Sequence, residues 1–405
     1  MKLTDLPLEF VQATPVLEKI QAAGFEAYFV GGCVRDVLLN QPIHDVDIAT
    51  SAFPQEIKQL FPRTIDVGIE HGTVLVLYQE QQYEITTFRT ESTYQDFRRP
   101  DKVEFVRSLS EDLKRRDFTM NALALGSDGT IIDLYTGLKD IEQKMVRAVG
   151  NPHERLHEDA LRMMRGLRFV SQLNFTMAPE TLAAITENSP LLANISVERI
   201  AIEWLKLMMG KNRKSALELF IATNCYQYCP KLANHQAGLL KFSQLPTKQL
   251  TNEAASWALL IDQLELAAEQ VAPFLKAWKT SNECIRQVQH ILKGFAIRKQ
   301  RAWEAYDIYQ LGFEEAILAE GLLFFVGQQP DLAAVISQYE ALPIQSLHDL
   351  TINGHDLLHE MKRVPGKWLK ETLSYLEYQV VESQCENQPA QLMALAKEFM
   401  TKQEY

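Results

Sequence analysis

The run Phe29-Val30-Gly31-Gly32-Cys33-Val34-Arg35-Asp36, followed shortly by His44-Asp45-Val46-Asp47-Ile48-Ala49-Thr50, constrains this chain more than any other part of it. Tyr28, Phe29 and Val30 have the composition of a buried strand end. The two glycines let the backbone turn with positive φ and bring bare N–H groups close to a bound group. Val34 to Leu39 then resumes helical spacing, so the pair opens a helix, where a phosphate is readily held. In a strand, residues two apart share a face, so Asp45 and Asp47 are expected to converge while Val46 and Ile48 turn to the core. Two hard oxygen ligands beside such a turn suit a divalent cation and a nucleotide.

A glycine pair alone is usually just a turn, and Asp-x-Asp often ends a solvated strand. Together, at this spacing, they carry more. The combination resembles the nucleotidyltransferase superfamily of the DNA polymerase β type. Gly31-Gly32-Cys33-Val34-Arg35-Asp36 is similar to its tRNA nucleotidyltransferase and bacterial poly(A) polymerase branch.

Composition sets the frame. A chain of 405 residues is too long for one core and predicts two to four domains. Its 46% hydrophobic and 23% charged content is that of a globular protein. No signal peptide and no stretch of about eighteen apolar residues is visible, so a cytoplasmic protein without a membrane span is expected. Five cysteines, none at zinc-like spacing with histidine, read as reduced thiols, Cys225 and Cys229 among them. A net charge of −11 argues against an indiscriminate polyanion binder and suits a structured RNA better than arbitrary single strands.

In chain order, Leu8 to Ala23 has helical spacing, divided into two pieces at Pro15, with Gly24 as its stop. A helix begins at Phe53-Pro54. Strand-type runs follow at Arg63 to Val67, Thr73 to Tyr78, Tyr83 to Phe88 and Lys102 to Val106, which predicts a small sheet, largely antiparallel. Thr90 to Asp101 is polar and aperiodic and reads as a mobile loop. Glu84 stands in a strand; by itself it is a solvated carboxylate, and the resemblance makes it a third acidic group that helps activate an attacking hydroxyl.

Arg115-Arg116-Asp117-Phe118-Thr119-Met120-Asn121-Ala122 resembles a second motif of the family, with Arg116 able to lay a planar guanidinium on triphosphate oxygens. Asp133 to Gly137, with Arg147, resembles a third, which joins the head to the rest. In Glu158-Asp159-Ala160-Leu161-Arg162-Met163-Met164-Arg165-Gly166-Leu167-Arg168, one helix is expected to carry Arg162, Arg165 and Arg168 on a slowly turning face, Asp159 one turn before Arg162. A salt-bridged surface helix commonly shows that pattern; the match to the family's Glu-Asp-x-x-Arg motif supplies the sharper reading. Cytosine and adenine each present an amino donor beside a ring-nitrogen acceptor, which a carboxylate and a guanidinium complement. Helices are expected at Glu180–Thr186, Val197–Met209, Lys214–Thr223, Glu253–Val271, Ser281–Phe295 and Glu314–Gly327. Glu198-Arg199 resembles a pair that braces neighbouring helices. His355-Asp356 lacks the further ligands of a metal phosphohydrolase and reads as a helix start.

The resemblance runs in order along the whole chain, to the bacterial class II CCA-adding family. It implies an α+β protein: a polymerase-β-like head with a five-stranded, mixed or antiparallel sheet, followed by all-α neck, body and tail. The divisions expected are 1–143, 144–209, 210–275 and 276–405. It implies addition of C, C and A to the 3′ end of tRNA from CTP and ATP, with release of pyrophosphate and two Mg²⁺ ions on Asp45 and Asp47. Gly32, Arg35 and Arg116 would cradle the triphosphate, and Asp159 and Arg162 would read the base. Arg165 and Arg168 would reach the triphosphate or the stacked base, and the tail would hold the tRNA elbow. CC-only addition, A-only addition and poly(A) synthesis share these motifs. Oligomeric state, a homodimer included, is left open.

Overall fold

The computed structural model describes residues 1–91 and 103–403. Most of the segment read as a mobile loop lies outside them. The chain forms two compact units, one of residues 1–249 with 277–279, the other of 250–276 with 280 onward.

The first unit opens with helix α1 (Leu8–Ala22), whose Phe10, Ala13, Val16, Leu17 and Ile20 are buried along one face. The expected break at Pro15 does not occur. Packing of that face on both sides of the proline outweighs one missing backbone hydrogen bond, and the helix ends at Gly24 with φ 89°. Strand β1 (Ala27–Val30) leads through the glycine pair into α2 (Gly32–Leu38) and on to β2 (Asp47–Thr50). Then come α3 (Pro54–Leu60), β3 (Thr64–Gly68), β4 (Thr73–Tyr78) and β5 (Gln81–Thr87). A separate pair, β6 (Arg89–Glu91) and β7 (Val103–Phe105), is antiparallel. Next are α4 (Leu109–Lys114), β8 (Leu123–Leu125), β9 (Ile131–Asp133) and α5 (Gly137–Glu142).

The main sheet has seven strands in the order β3-β4-β5-β2-β1-β8-β9, two more than expected. The extra pair, β8 and β9, is only three residues each and too short for periodicity to announce. Every neighbour pair is antiparallel except β2 with β5, which run parallel, so the sheet is mixed. Val30 of β1, Ala49 of β2 and Ala124 of β8 join Phe88, Leu113, Ala122 and Val149 in a buried cluster.

A two-stranded parallel pair, β10 (Met145–Val146) and β11 (Thr176–Met177), brackets in the chain helices α6 (Pro152–Glu158) and α7 (Leu161–Leu173). Helices α8 (Pro179–Asn188), α9 (Val197–Met208), α10 (Arg213–Ala222) and α11 (Gln236–Gln244) complete this unit. The single helix expected across Glu158–Phe169 is two. Asp159 takes an extended conformation, φ −133° and ψ 101°, and its carboxylate accepts the Leu161 N–H at 3.1 Å. A short polar side chain competing for backbone donors is the ordinary cause of such a break.

The second unit is all helix among the described residues: α12 (Glu253–Gln263), α13 (Ala268–Ala277), α14 (Asn282–Gln300), α15 (Ala305–Leu311), α16 (Phe313–Leu322), α17 (Leu332–Glu340), α18 (Gly354–Met361), α19 (Lys367–Val381) and α20 (Pro389–Lys402). The expected Glu253–Val271 helix is again two, parted where Glu265 has φ 55°. Asp356 does open a helix, in a reciprocal cap with Asn353. All five cysteines are free thiols; burial pushes the Cys225 thiol up to about 12. Among the described residues, no helix is long and apolar enough to cross a membrane.

Candidate active site

The site is built where β1, β2 and β5 meet the start of α2. Asp47 is the first residue of β2 and pairs in register with Glu84 of β5. Asp45 lies just before the strand rather than in it, yet its charge still reaches Asp47. Both aspartates are exposed, while Val46 is half-buried and Ile48 fully buried.

Crowding shapes the electrostatics. Desolvation pushes the Asp47 carboxyl up to about 6; Glu84 and Asp45 add to the rise, and Arg116 opposes it. Asp47 thus feels the like charges of Glu84 and Asp45, a repulsion that a divalent cation would relieve. Among the described residues, no three such side chains come close enough to form a complete metal cage.

Gly31, rather than Gly32, is the strained member of the pair, with φ 77°. A Cβ there would lie 3.0 Å from Arg116 Nη1 and 3.8 Å from Asp47 Oδ2. Any side chain would press into the space between acid and cation. Gly32 adjoins Arg35, whose Nη2 lies 3.7 Å from the position of its absent Cβ. Arg116 is held by Asp112 at 3.2 Å, and its buried Nε makes no hydrogen bond among the described residues. A buried donor left open beside a carboxylate cluster has the character of an anion contact.

The remaining arginines gather at Phe169. The Arg35, Arg165 and Arg168 guanidiniums stand 5.1, 5.7 and 4.2 Å from its ring centroid. Arg165 donates to Asp117 at 2.6 Å, and Arg168 pairs with Glu203 at 2.9 Å. Burial would raise the Asp117 carboxyl, but Arg165, the Asn121 amide and the Phe118 N–H together hold it well below the usual carboxylate range. Burial lowers Arg168 to about 10, against the pull of Glu203.

At the junction of α6 and α7, Asp159 receives Arg199 at 3.0 Å. Arg162, which is 7% exposed, donates to Glu158 at 2.8 Å and to the Arg155 and Arg115 carbonyls at 2.8 and 3.1 Å. The Arg162 N–H bonds the Asp159 carbonyl at 3.0 Å, which keeps the two in one turn.

Asp133 caps α5 through the Gly137 and Leu138 amides, both at 2.9 Å, and Arg147 pairs with Asp140 and Glu180. That segment is a joint between sheet and helices. Asp112 and Glu203 were not singled out from the sequence. Asp112 could have been found as an acid three and four residues before two arginines; Glu203 meets its partners only through folding.

Three family models match the chain: the poly A polymerase head domain over residues 27–147, the probable RNA and SrmB-binding site of polymerase A over 174–235, and tRNA nucleotidyltransferase domain 2 over 248–396. The CCA-adding enzyme of Enterococcus faecalis is 57% identical to it over 404 residues, covering 100% of both chains. The chain belongs to the CCA-adding enzyme family. It is thus a tRNA nucleotidyltransferase. The CCA-adding enzyme of Lacticaseibacillus paracasei is 51% identical, with 98% of this chain and 99% of that one covered. The fold agrees with the family: a crystal structure of the Bacillus stearothermophilus CCA-adding enzyme in complex with CTP superposes with a TM-score of 0.92 at 40% identity, covering 98% of this chain and 99% of that one.

Proposed function

We propose that this protein adds C, C and A in turn to the 3′ end of tRNA, using CTP twice and ATP once, in the cytoplasm. The tRNA 3′-hydroxyl oxygen attacks the α-phosphorus, its bond to the bridging oxygen breaks, and pyrophosphate leaves while the hydroxyl proton passes to a nearby base. The observation that carries this reading is the in-register pairing of Asp47 with Glu84, with Arg116 across Gly31 from Asp47. It sets an acidic group that accepts a cation beside a cation that accepts a triphosphate.

Asp45 and Asp47 are the residues to hold Mg²⁺. Two such ions would lower the pKa of the attacking hydroxyl and steady the leaving pyrophosphate. Glu84 helps draw off the hydroxyl proton. Gly32, Arg35 and Arg116 cradle the triphosphate, with Arg165 and Arg168 reaching the triphosphate or stacking on the base through their array at Phe169. Asp159 and Arg162 read the base. Each is backed by a partner of opposite charge, Arg199 and Glu158, which orients it without a nucleic-acid template. Guanine and uracil offer the reversed donor and acceptor pattern, and a good bidentate pair discriminates by about 1–3 kcal/mol. The division at 143, 209 and 275 belongs to this proposal, with the last segment taking the tRNA elbow.

The test is extension of a tRNA transcript lacking its 3′ end, with Mg²⁺ and each nucleotide alone and together. Three additions in the order C, C, A are expected. A halt after two cytidines, a single adenosine, or a long adenosine tail would replace this reading with CC addition, A addition or poly(A) synthesis.

A further inference from the structure

Asn121 is 6% exposed and lies in the turn between α4 and β8, remote from any base-reading residue in sequence. Its side-chain oxygen accepts from Arg35 Nη1 at 2.7 Å. Its side-chain nitrogen donates to Asp117 Oδ1 at 3.0 Å, and the other oxygen of Asp117 takes Arg165 at 2.6 Å. Its backbone carbonyl is 3.4 Å from Arg116 Nη1. One buried residue thereby meets three arginines that come from α2, from the end of α4 and, through Asp117, from α7.

The amide is the side chain this junction demands. Its oxygen faces a guanidinium, which has no acceptor, and its nitrogen faces a carboxylate, which when ionised has no donor. Aspartate would put two carboxylates about 3 Å apart, and leucine would leave a buried cation and a buried anion each short of a partner. Asp117 is held ionised by its surroundings, so the direction of the amide is set, not free to flip.

We infer that Asn121 is a positioning residue for the nucleotide, locking Arg35, Arg116 and Arg165 into one array that receives the triphosphate. This rests on the assignment made above of Arg35 and Arg116 to the triphosphate and of Arg165 to the triphosphate or the stacked base. A rigid array matters because a guanidinium misplaced by about an ångström loses bidentate contact and the rate that depends on it. The carbonyl contact is backbone and survives substitution, so Asn121 variants act on Arg35 and, through Asp117, on Arg165.

The experiment compares wild type, Asn121→Asp and Asn121→Leu in the full-length protein. It measures the Kd for CTP by calorimetry, KM for CTP and for tRNA, kcat, and Tm. Weakening of CTP binding and a rise in KM for CTP by about tenfold are expected, with KM for tRNA unchanged. In the double variant Arg35→Ala/Asn121→Leu the further loss of CTP affinity relative to Arg35→Ala should be smaller than the loss Asn121→Leu causes in the wild type, since only the arm through Asp117 to Arg165 remains. Unchanged Kd and KM for CTP, with kcat falling only in step with Tm, would overturn the inference and leave Asn121 a packing residue. If Asn121→Leu does not fold, Asn121→Asp, which keeps the bond to Arg35, decides by the same criteria. CTP binding weakened in a protein whose wild type fails to extend tRNA would keep the array and remove the proposed reaction instead.

Discussion

Asp47 and Glu84 face each other across the parallel pair of the main sheet, in register, on strands 37 positions apart in the chain. Desolvation of Asp47, and after it the charge of Glu84, costs the folded protein stability. The folded-state pKa of Asp47 is raised from 3.8 to about 6, so the protein is favoured with Asp47 protonated and loses stability as pH rises between those values.

Asp47→Asn should therefore raise the Tm of the metal-free protein at pH 7 while abolishing nucleotide transfer. With Asp47 open to solvent, the gain is discounted to about 1 kcal/mol, a shift of about 2 °C. Calorimetric scans of both proteins should show the difference shrinking as pH falls from 7 towards 4. A lower Tm for the variant at pH 7 would contradict it.

The same shift predicts how the proposed metal site titrates. A protonated Asp47 cannot hold a cation, so the Mg²⁺ concentration for half-maximal rate should rise by about tenfold per pH unit below pH 6 and level off above it. Excess chelator should stop the reaction, and restored Mg²⁺ should recover it. Rate against Mg²⁺ at several pH values, with CTP saturating, reads this directly; a half-maximal concentration independent of pH from 5 to 7 would refute it.

Asp159→Ala removes the carboxylate proposed to accept from the amino group of cytosine or adenine and leaves Arg199 without its partner at 3.0 Å. The expected result is a fall of about 10- to 100-fold in kcat/KM for CTP and ATP, with GTP and UTP affected much less, so that selectivity narrows. Competition between nucleotides on one tRNA transcript measures it. An equal loss for all four would move Asp159 from base reading to packing.

In the helical second unit, Glu320 has no exposed surface and receives Arg298 at 2.7 Å, the Trp303 indole N–H at 2.9 Å and the Asp331 N–H at 2.8 Å. Burial raises its carboxyl, but these donors more than reverse that and keep it below its usual value. Glu320→Ala takes the carboxylate from the half-buried Arg298 guanidinium and leaves the buried Trp303 indole N–H without its acceptor, and should cost about 2 kcal/mol in urea unfolding of this unit. Because the Glu320 pKa is depressed, the wild-type advantage should be present at neutral pH and fade as the carboxyl protonates in acid.

How much of this could be read in advance follows from the range of the interactions. The strand, glycine turn and helix at 27–38 were legible because positive φ at Gly31 and the alternation of apolar residues are local demands. Strands β4 and β5 announced themselves through runs of β-branched and aromatic residues. Strands β8 and β9 did not, being three residues each and stabilised by neighbours. The arginines of 162 to 168 were visible as a row, but their partners were not: Arg165 finds Asp117 across 48 positions, and Arg168 finds Glu203 across 35.

By itself the sequence determined which residues could bear charge, turn or bury, since those are properties of side chains and of a few backbone angles. That was enough for the α+β class, the acidic pair and the arginine row. Only the tertiary structure decided that β2 runs parallel to β5, that the helix breaks at Asp159, and that Asn121 lies between Arg35 and Asp117. Those choices are made by contacts between distant segments, whose energies outweigh local preference and leave no mark on any single stretch of chain.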